Sequence, residues 1–193
     1  VFGVENGSFG MVEDLNNSIL AAIGSAVAWI FAPLGWAGDW AWKAAVATIT
    51  GLIAKEEVVN TFGVLYHYAG DVDLMEDSSP IWTLLAADFT ALSAYSFMIF
   101  NLLCAPCFAA MGAIKREMNN ARWTLGAIGY MCGFAYVMAL IVYQIGGLIT
   151  GAVAFNLWTV VAVVLLAGLL YLVLRPYRES TTLRTGDRSV AHV

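Results

Sequence analysis

The sequence predicts an all-α, polytopic integral membrane protein, with about four transmembrane helices behind an N-terminal helix that is re-entrant or interfacial. Composition is the first reason. Of 193 residues, 61% are hydrophobic and 12% charged, and mean hydropathy is +0.76, whereas a soluble domain is nearer half apolar and a quarter charged. The second is that apolar runs of membrane-spanning length recur along the chain. The third is that acids and bases are segregated into the stretches between those runs. The net charge of −5 therefore says little about partners, and no basic stripe with interleaved aromatics points to nucleic acid. Cys104, Cys107 and Cys132 all lie in apolar segments, which argues against a secreted disulfide framework. The chain begins with Val1 and shows no signal-peptide pattern, so a segment of a longer protein is expected. One membrane domain is expected over residues 1–178, with a polar tail over 179–193.

Residues 1–17 are polar and glycine-containing, and Asn16, Asn17 or Ser18 is placed to cap a helix. From Leu15 the apolar residues fall at helical spacing until Pro33 and Gly35. The uninterrupted apolar part is about sixteen residues, short of the ~20 a span needs. It reads as a re-entrant or interfacial helix, with a full span as the alternative. Trp36, Trp40 and Trp42 beside Asp39 and Lys43 read as an interfacial belt.

The second apolar segment runs from about Trp42 to Tyr68 and contains Lys55-Glu56-Glu57. Charge at membrane depth is costly and marks a candidate functional site. On a regular helix these three residues sweep about 200°, so they cannot share one face. Either the helix breaks near Gly51, or at least one charge pairs with a neighbouring helix. Broken helices are tolerated in membranes where they line a cavity, and transporters build substrate sites from them. Asn60 follows Glu56 by one turn, and Thr61 follows Glu57, continuing a polar face. A competing reading makes Lys55 and a glutamate a buried ion pair that fixes packing. His67 reads as interfacial, and an acidic loop follows over Gly70 to Pro80.

The third segment, about Phe89 to Ile114, holds Asn101-Leu102-Leu103-Cys104-Ala105-Pro106-Cys107. Asp88 caps it. Pro106 has no N–H for the Leu102 carbonyl, so a kink and a freed oxygen are expected. Cys104 and Cys107, three residues apart, would neighbour each other on one helix face. With Asn101 and Met111 nearby, this donor set suits a borderline-to-soft divalent metal. The alternative is that the cysteines are small buried hydrophobes, and Cys132 is read only in that way.

The fourth segment, about Trp123 to Ile149, carries Gly129 and Gly133 in a G-x-x-x-G pair, expected to pack tightly within the chain or, failing that, in a homo-oligomer. Tyr143 and Gln144 are placed to hydrogen-bond across helices. Leu157 to Leu174 is almost purely aliphatic and reads as a lipid-facing scaffold. Lys115, Arg116, Arg122 and the arginines from Arg175 onward put both of their chain stretches on the cytoplasmic side and the acidic loop outside.

Two stretches together carry a resemblance. Ile49-Thr50-Gly51-Leu52-Ile53-Ala54-Lys55-Glu56, followed by Val58-Val59-Asn60-Thr61-Phe62-Gly63, resembles the second gate motif of ferrous iron transport protein B. Phe100-Asn101-Leu102-Leu103-Cys104-Ala105-Pro106-Cys107, with Lys115-Arg116-Glu117 after it, resembles that family's Pro-Cys segment, and Phe31-Ala32-Pro33-Leu34-Gly35-Trp36 its lead-in. The resemblance runs from about residue 18 to 178. It implies a multi-pass Fe²⁺ transporter of bacterial inner membranes, of which this chain is the C-terminal half of the membrane region. Fe²⁺ is then cargo, and GTP belongs to an N-terminal G domain outside this chain. Partners are the bilayer, the other half of the transporter and that G domain.

The expected gate residues are Gly51, Lys55, Glu56, Glu57, Asn60 and Pro106, with Cys107, Cys104 and Glu56 as metal ligands. Glu56 is expected to line the path and Lys55 to pair elsewhere. Cys104 and Glu57 lie outside the shared pattern. A transporter, not an enzyme, is expected, since no phosphate-binding loop and no nucleophile–His–acid set occurs. The alternatives are a gate-domain permease for a nucleoside or other organic solute and, more remotely, a membrane thiol oxidoreductase using Cys104 and Cys107.

Overall fold

A computed structural model describes residues 2–5, 8–11, 18–66 and 80–175. His67, the acidic loop and the 179–193 tail lie outside the described residues. The chain is α-helical as expected, with one short addition. An antiparallel hairpin of β1 (Phe2–Glu5) and β2 (Ser8–Met11) precedes the helices, with Phe2 opposite Met11.

Helix α1 (Ile19–Phe31) is capped by Ser18, whose Oγ accepts from the Ala21 amide at 3.1 Å. A single 3₁₀ turn, Ala32–Leu34, ends it. Together they make a short apolar helix over Ile19–Leu34, below the length of a span. Gly35 then turns the chain at φ +86°, and a Cβ there would collide with the Tyr143 ring. This left-handed turn carries Trp36 inward.

The tryptophan belt is accordingly corrected. Trp36 is fully buried and Trp42 nearly so. Trp36 stacks on Phe31 at 4.5 Å and meets Phe97 and Phe100 at 5.0 and 5.6 Å. The sequence pattern registered amphipathic rings near charges, whereas the glycine turn places two of them in the core.

The apolar segment over 42–68, for which a break near Gly51 is one of the two expectations, is two short helices, α2 (Ala41–Gly51) and α3 (Glu57–Leu65). Helix α4 (Pro80–Asp88) follows. The third segment is likewise interrupted, into α5 (Ala91–Leu103) and α6 (Phe108–Met118). Helix α7 (Ala121–Thr150) is unbroken over 30 residues, about 45 Å at 1.5 Å per residue. The loop after Gly151 folds α8 (Leu157–Leu174) back against it. Among the described residues three stretches are long and apolar enough to cross a membrane: 91–118, 121–150 and 157–174.

Helix α1 packs along α2, and α7 carries both α5 and α8. Small side chains allow the close approach, since Ala44, Ala45, Ala47, Ala135, Ala139 and Ala162 are fully buried. Gln144 is the polar pin of the core. Its Nε2 donates to Pro33 O at 2.8 Å, and its Oε1 accepts from Thr159 Oγ1 at 3.2 Å. Tyr136 donates to Ile30 O at 2.7 Å. The expected hydrogen bonding of Gln144 across helices is thus present, while Tyr143 contributes its ring to the Gly35 turn. The in-chain packing expected of Gly129 and Gly133 is corrected. Among the described residues nothing lies within 4 Å of a Cβ built at either position, because α7 turns its other face to α5 and α8.

Candidate functional site

Both interruptions have local causes. Helix α2 closes at Gly51 through Leu52 N to Ile49 O and Ile53 N to Thr50 O, at 3.2 and 2.9 Å. The chain re-enters a helix at Glu57, and the hydroxyls of Thr50 and Thr61 meet across the break at 2.8 Å. Gly51 is buried where a Cβ would come within 2.5 Å of Val58 Cγ2. Here the glycine permits close approach.

The second interruption lies at Pro106. Helix α5 ends when Cys104 turns extended (ψ 168°), and Cys107 is extended again (ψ 159°) ahead of α6. Pro106 offers no N–H to Leu102 O, and that carbonyl is satisfied instead by Lys55. Lys55 Nζ donates to Asn101 O at 3.0 Å and to Leu102 O at 3.1 Å. The ammonium thus sits on the negative end of the α5 dipole. A backbone bond, Phe108 N to Leu52 O at 3.0 Å, joins the two interruptions directly. Asn101 is held in place by its own bond from Nδ2 to Phe97 O at 3.0 Å.

The site is therefore a crossing of two discontinuous helices, clasped by one lysine and one backbone hydrogen bond. The two possibilities raised by the charge patch are both realised, since the helix breaks and Lys55 finds partners on a neighbouring helix. Those partners are carbonyls, not a glutamate. Glu56 and Glu57 stand exposed at the start of α3, where the helix dipole favours acids. Asn60 is exposed one turn further on.

A cavity of about 880 Å³ opens beside the crossing, between α3, α4 and α5. Gly51, Lys55, Asn101 and Cys104 line it together with Phe62 and Phe97. Glu56, Glu57, Asn60 and Cys107 are not part of its lining. Residues 10–121, more than half of the chain, match the family described as Gate, nucleoside recognition. The chain belongs to this gate family.

Its resemblance to ferrous iron transport protein B is borne out by relatives bearing that name. The gate-family chain is 35% identical over 142 residues to the Fe(2+) transporter FeoB of Staphylococcus aureus, covering 74% of this chain and 20% of that protein. It is 38% identical over 133 residues to the FeoB of Methanocaldococcus jannaschii, covering 69% and 18%. It is 34% identical over 127 residues to that of Campylobacter jejuni, covering 66% and 20%. The chain thus spans about a fifth of the length of these relatives. No solved structure matches it.

The cysteines of this gate-family chain are arranged differently from the helical pairing. Because the helix is interrupted between them, Cys104 and Cys107 do not share a regular helix face. Cys104 Sγ instead lies 3.5 Å from Cys132 Sγ on α7. Among the described residues no group of three or more His, Cys, Asp and Glu side chains is placed to hold a metal ion.

Sequence reasoning also missed a polar cluster. Lys43 Nζ lies 3.7 Å from Asp88 Oδ2 and 4.0 Å from the Tyr66 ring centroid, and the Tyr66 hydroxyl donates to the same carboxylate oxygen at 2.5 Å. Asp88 is therefore tied to α2 and the end of α3, and the cap expected of it on α5 is supplied instead by Thr90, whose Oγ1 accepts from Ser93 N at 3.1 Å. The three residues belong to separate elements, so no local spacing announced them.

Proposed function

We propose that this chain forms the gate and metal path of a ferrous-iron transporter in the bacterial cytoplasmic membrane. Nucleotide hydrolysis is carried by a G domain elsewhere in the full-length protein, and the other half of the membrane region completes the path. The observation that carries the reading is the crossing of two discontinuous helices, joined by Phe108 N to Leu52 O and by Lys55. Interrupted helices expose backbone groups and dipole ends, and transporters place substrates there. The relatives named as Fe(2+) transporters supply the cargo.

In this reading Cys107 and Glu56, the residues immediately ahead of α6 and α3, are the ligands Fe²⁺ meets in passage. A thiolate with a carboxylate suits a borderline divalent cation better than Mg²⁺ or Ca²⁺. Lys55 works as the clasp, its charge turned onto carbonyls. The bases at 115, 116, 122 and 175 lie at the α6–α7 junction and the end of α8, and this reading assigns both places to the cytoplasmic side by the excess of bases there.

Fe²⁺ uptake by the full-length transporter in proteoliposomes tests this. Cys107→Ala and Glu56→Gln are each expected to lower uptake roughly 10-fold or more. Uptake indifferent to both substitutions overturns the assignment. One observation favours a second reading: the cavity walls are largely apolar and aromatic, as in sites for organic solutes. A gate-domain permease for a nucleoside would transport labelled nucleoside, depend on Phe62 and Phe97, and ignore Cys107→Ala.

A further inference from the structure

We propose that Cys104 and Cys132 form an oxidisable dithiol whose disulfide ties the interruption of α5 to α7. The sulfurs already stand 3.5 Å apart, which is contact distance. A disulfide needs about 2.05 Å, so they must approach by roughly 1.5 Å. Cys104 has the freedom to make that move. It lies outside the regular helix, with extended backbone, in the stretch that leads to Pro106. Cys132 is fixed within α7, the helix against which α5 packs. Both side chains are half-buried, and Cys104 also lines the cavity, which gives a small oxidant a route to it.

A hydroperoxide is the oxidant. With hydrogen peroxide, one of the two sulfurs gives up its proton and attacks one oxygen, the O–O bond breaks, and hydroxide leaves to take up that proton as water. The resulting sulfenic acid is attacked by the other sulfur, which forms the S–S bond and releases a second water. Two thiols and one peroxide thus give one disulfide and two waters. A reducing dithiol reverses the step by exchange.

The bridge would fasten the end of α5, including the Asn101 and Leu102 carbonyls held by Lys55, to α7. The crossing could then no longer shift relative to α7, and transport would stop under oxidation. That last consequence rests on the transport reading; the bridge itself does not.

The test uses the full-length transporter in membranes, as wild type and as Cys107→Ala, Cys132→Ser and Cys104→Ser. After hydrogen peroxide and alkylation of free thiols, digestion and mass spectrometry should show the Cys104 and Cys132 peptides joined with loss of two hydrogens. The link should survive Cys107→Ala, vanish in Cys132→Ser, and open with dithiothreitol. Full alkylation of both thiols after peroxide overturns the proposal, and so does a Cys104–Cys107 link or sulfinic acid in place of the bridge. In uptake assays, peroxide should lower the initial rate severalfold in the wild type and leave Cys132→Ser at its untreated rate. A bridge that forms without changing uptake overturns the lock. A full-length transporter that bridges yet moves no iron at any stage overturns the transport reading and leaves the bridge standing.

Discussion

At the scale of the residue, glycines separate packing from open surface. Gly51 has Val58 where a side chain would go, so Gly51→Ala should destabilise the chain by about 1–3 kcal/mol through overpacking. Adding Val58→Ala should recover most of that loss, read as thermal unfolding in detergent. Gly129→Ala and Gly133→Ala meet no atoms within 4 Å among the described residues. Each should leave stability unchanged or raise it by up to about 1 kcal/mol through helix propensity. Sequence could not make this distinction. A glycine at helical spacing looks the same whether a neighbour or open space faces it, because the rotation of α7 is set by α5 and α8. The same ignorance hid Cys132, whose sulfur meets Cys104 from 28 residues away.

At the scale of the element, the interruption at Pro106 was legible and the one after Gly51 half so. A proline inside an apolar run withholds one N–H from a known carbonyl, and that carbonyl, Leu102 O, is the one Lys55 reaches. Three consecutive charges demanded either a break or a partner, without saying which. Lys55→Met should leave two carbonyls of α5 without their charged donor, costing about 1–2 kcal/mol after allowance for exposure. Lys55→Arg, which keeps the donors, should lose less. Pro106→Ala restores the N–H that Leu102 O lacks. Distances between spin labels on α5 and α6 should then lengthen as the two helices straighten into one. No change in that distance would mean that contacts with α3 and α7, and not the proline, hold the interruption open.

At the scale of the whole molecule, α7 is the member on which the others hang. It touches α5, α6 and α8, and Gln144 reaches from it to the end of the first helix and to α8. Gln144→Leu should strand Pro33 O and leave the Thr159 hydroxyl proton without its acceptor, while its oxygen keeps the bond from Asn156 N, a loss of about 1–3 kcal/mol in unfolding experiments. The helical class, the long fourth and fifth segments and the shortness of the first were all readable from hydropathy, since length and apolarity are local properties. The inward turn of Trp36 was not, because it depends on Gly35 meeting Tyr143 from 108 residues further along. The cluster of Lys43, Tyr66 and Asp88 was hidden for the same reason.

The hydrogen bond from Phe108 to Leu52 has a use beyond holding two loops together. An amide exchanges its proton with solvent only when its bond opens, at a rate set by the free energy of that opening. The Phe108 amide is thus a native clock for the crossing, needing no label and no mutation. Its exchange lifetime in deuterated buffer reads directly how often the two interrupted helices let go of each other.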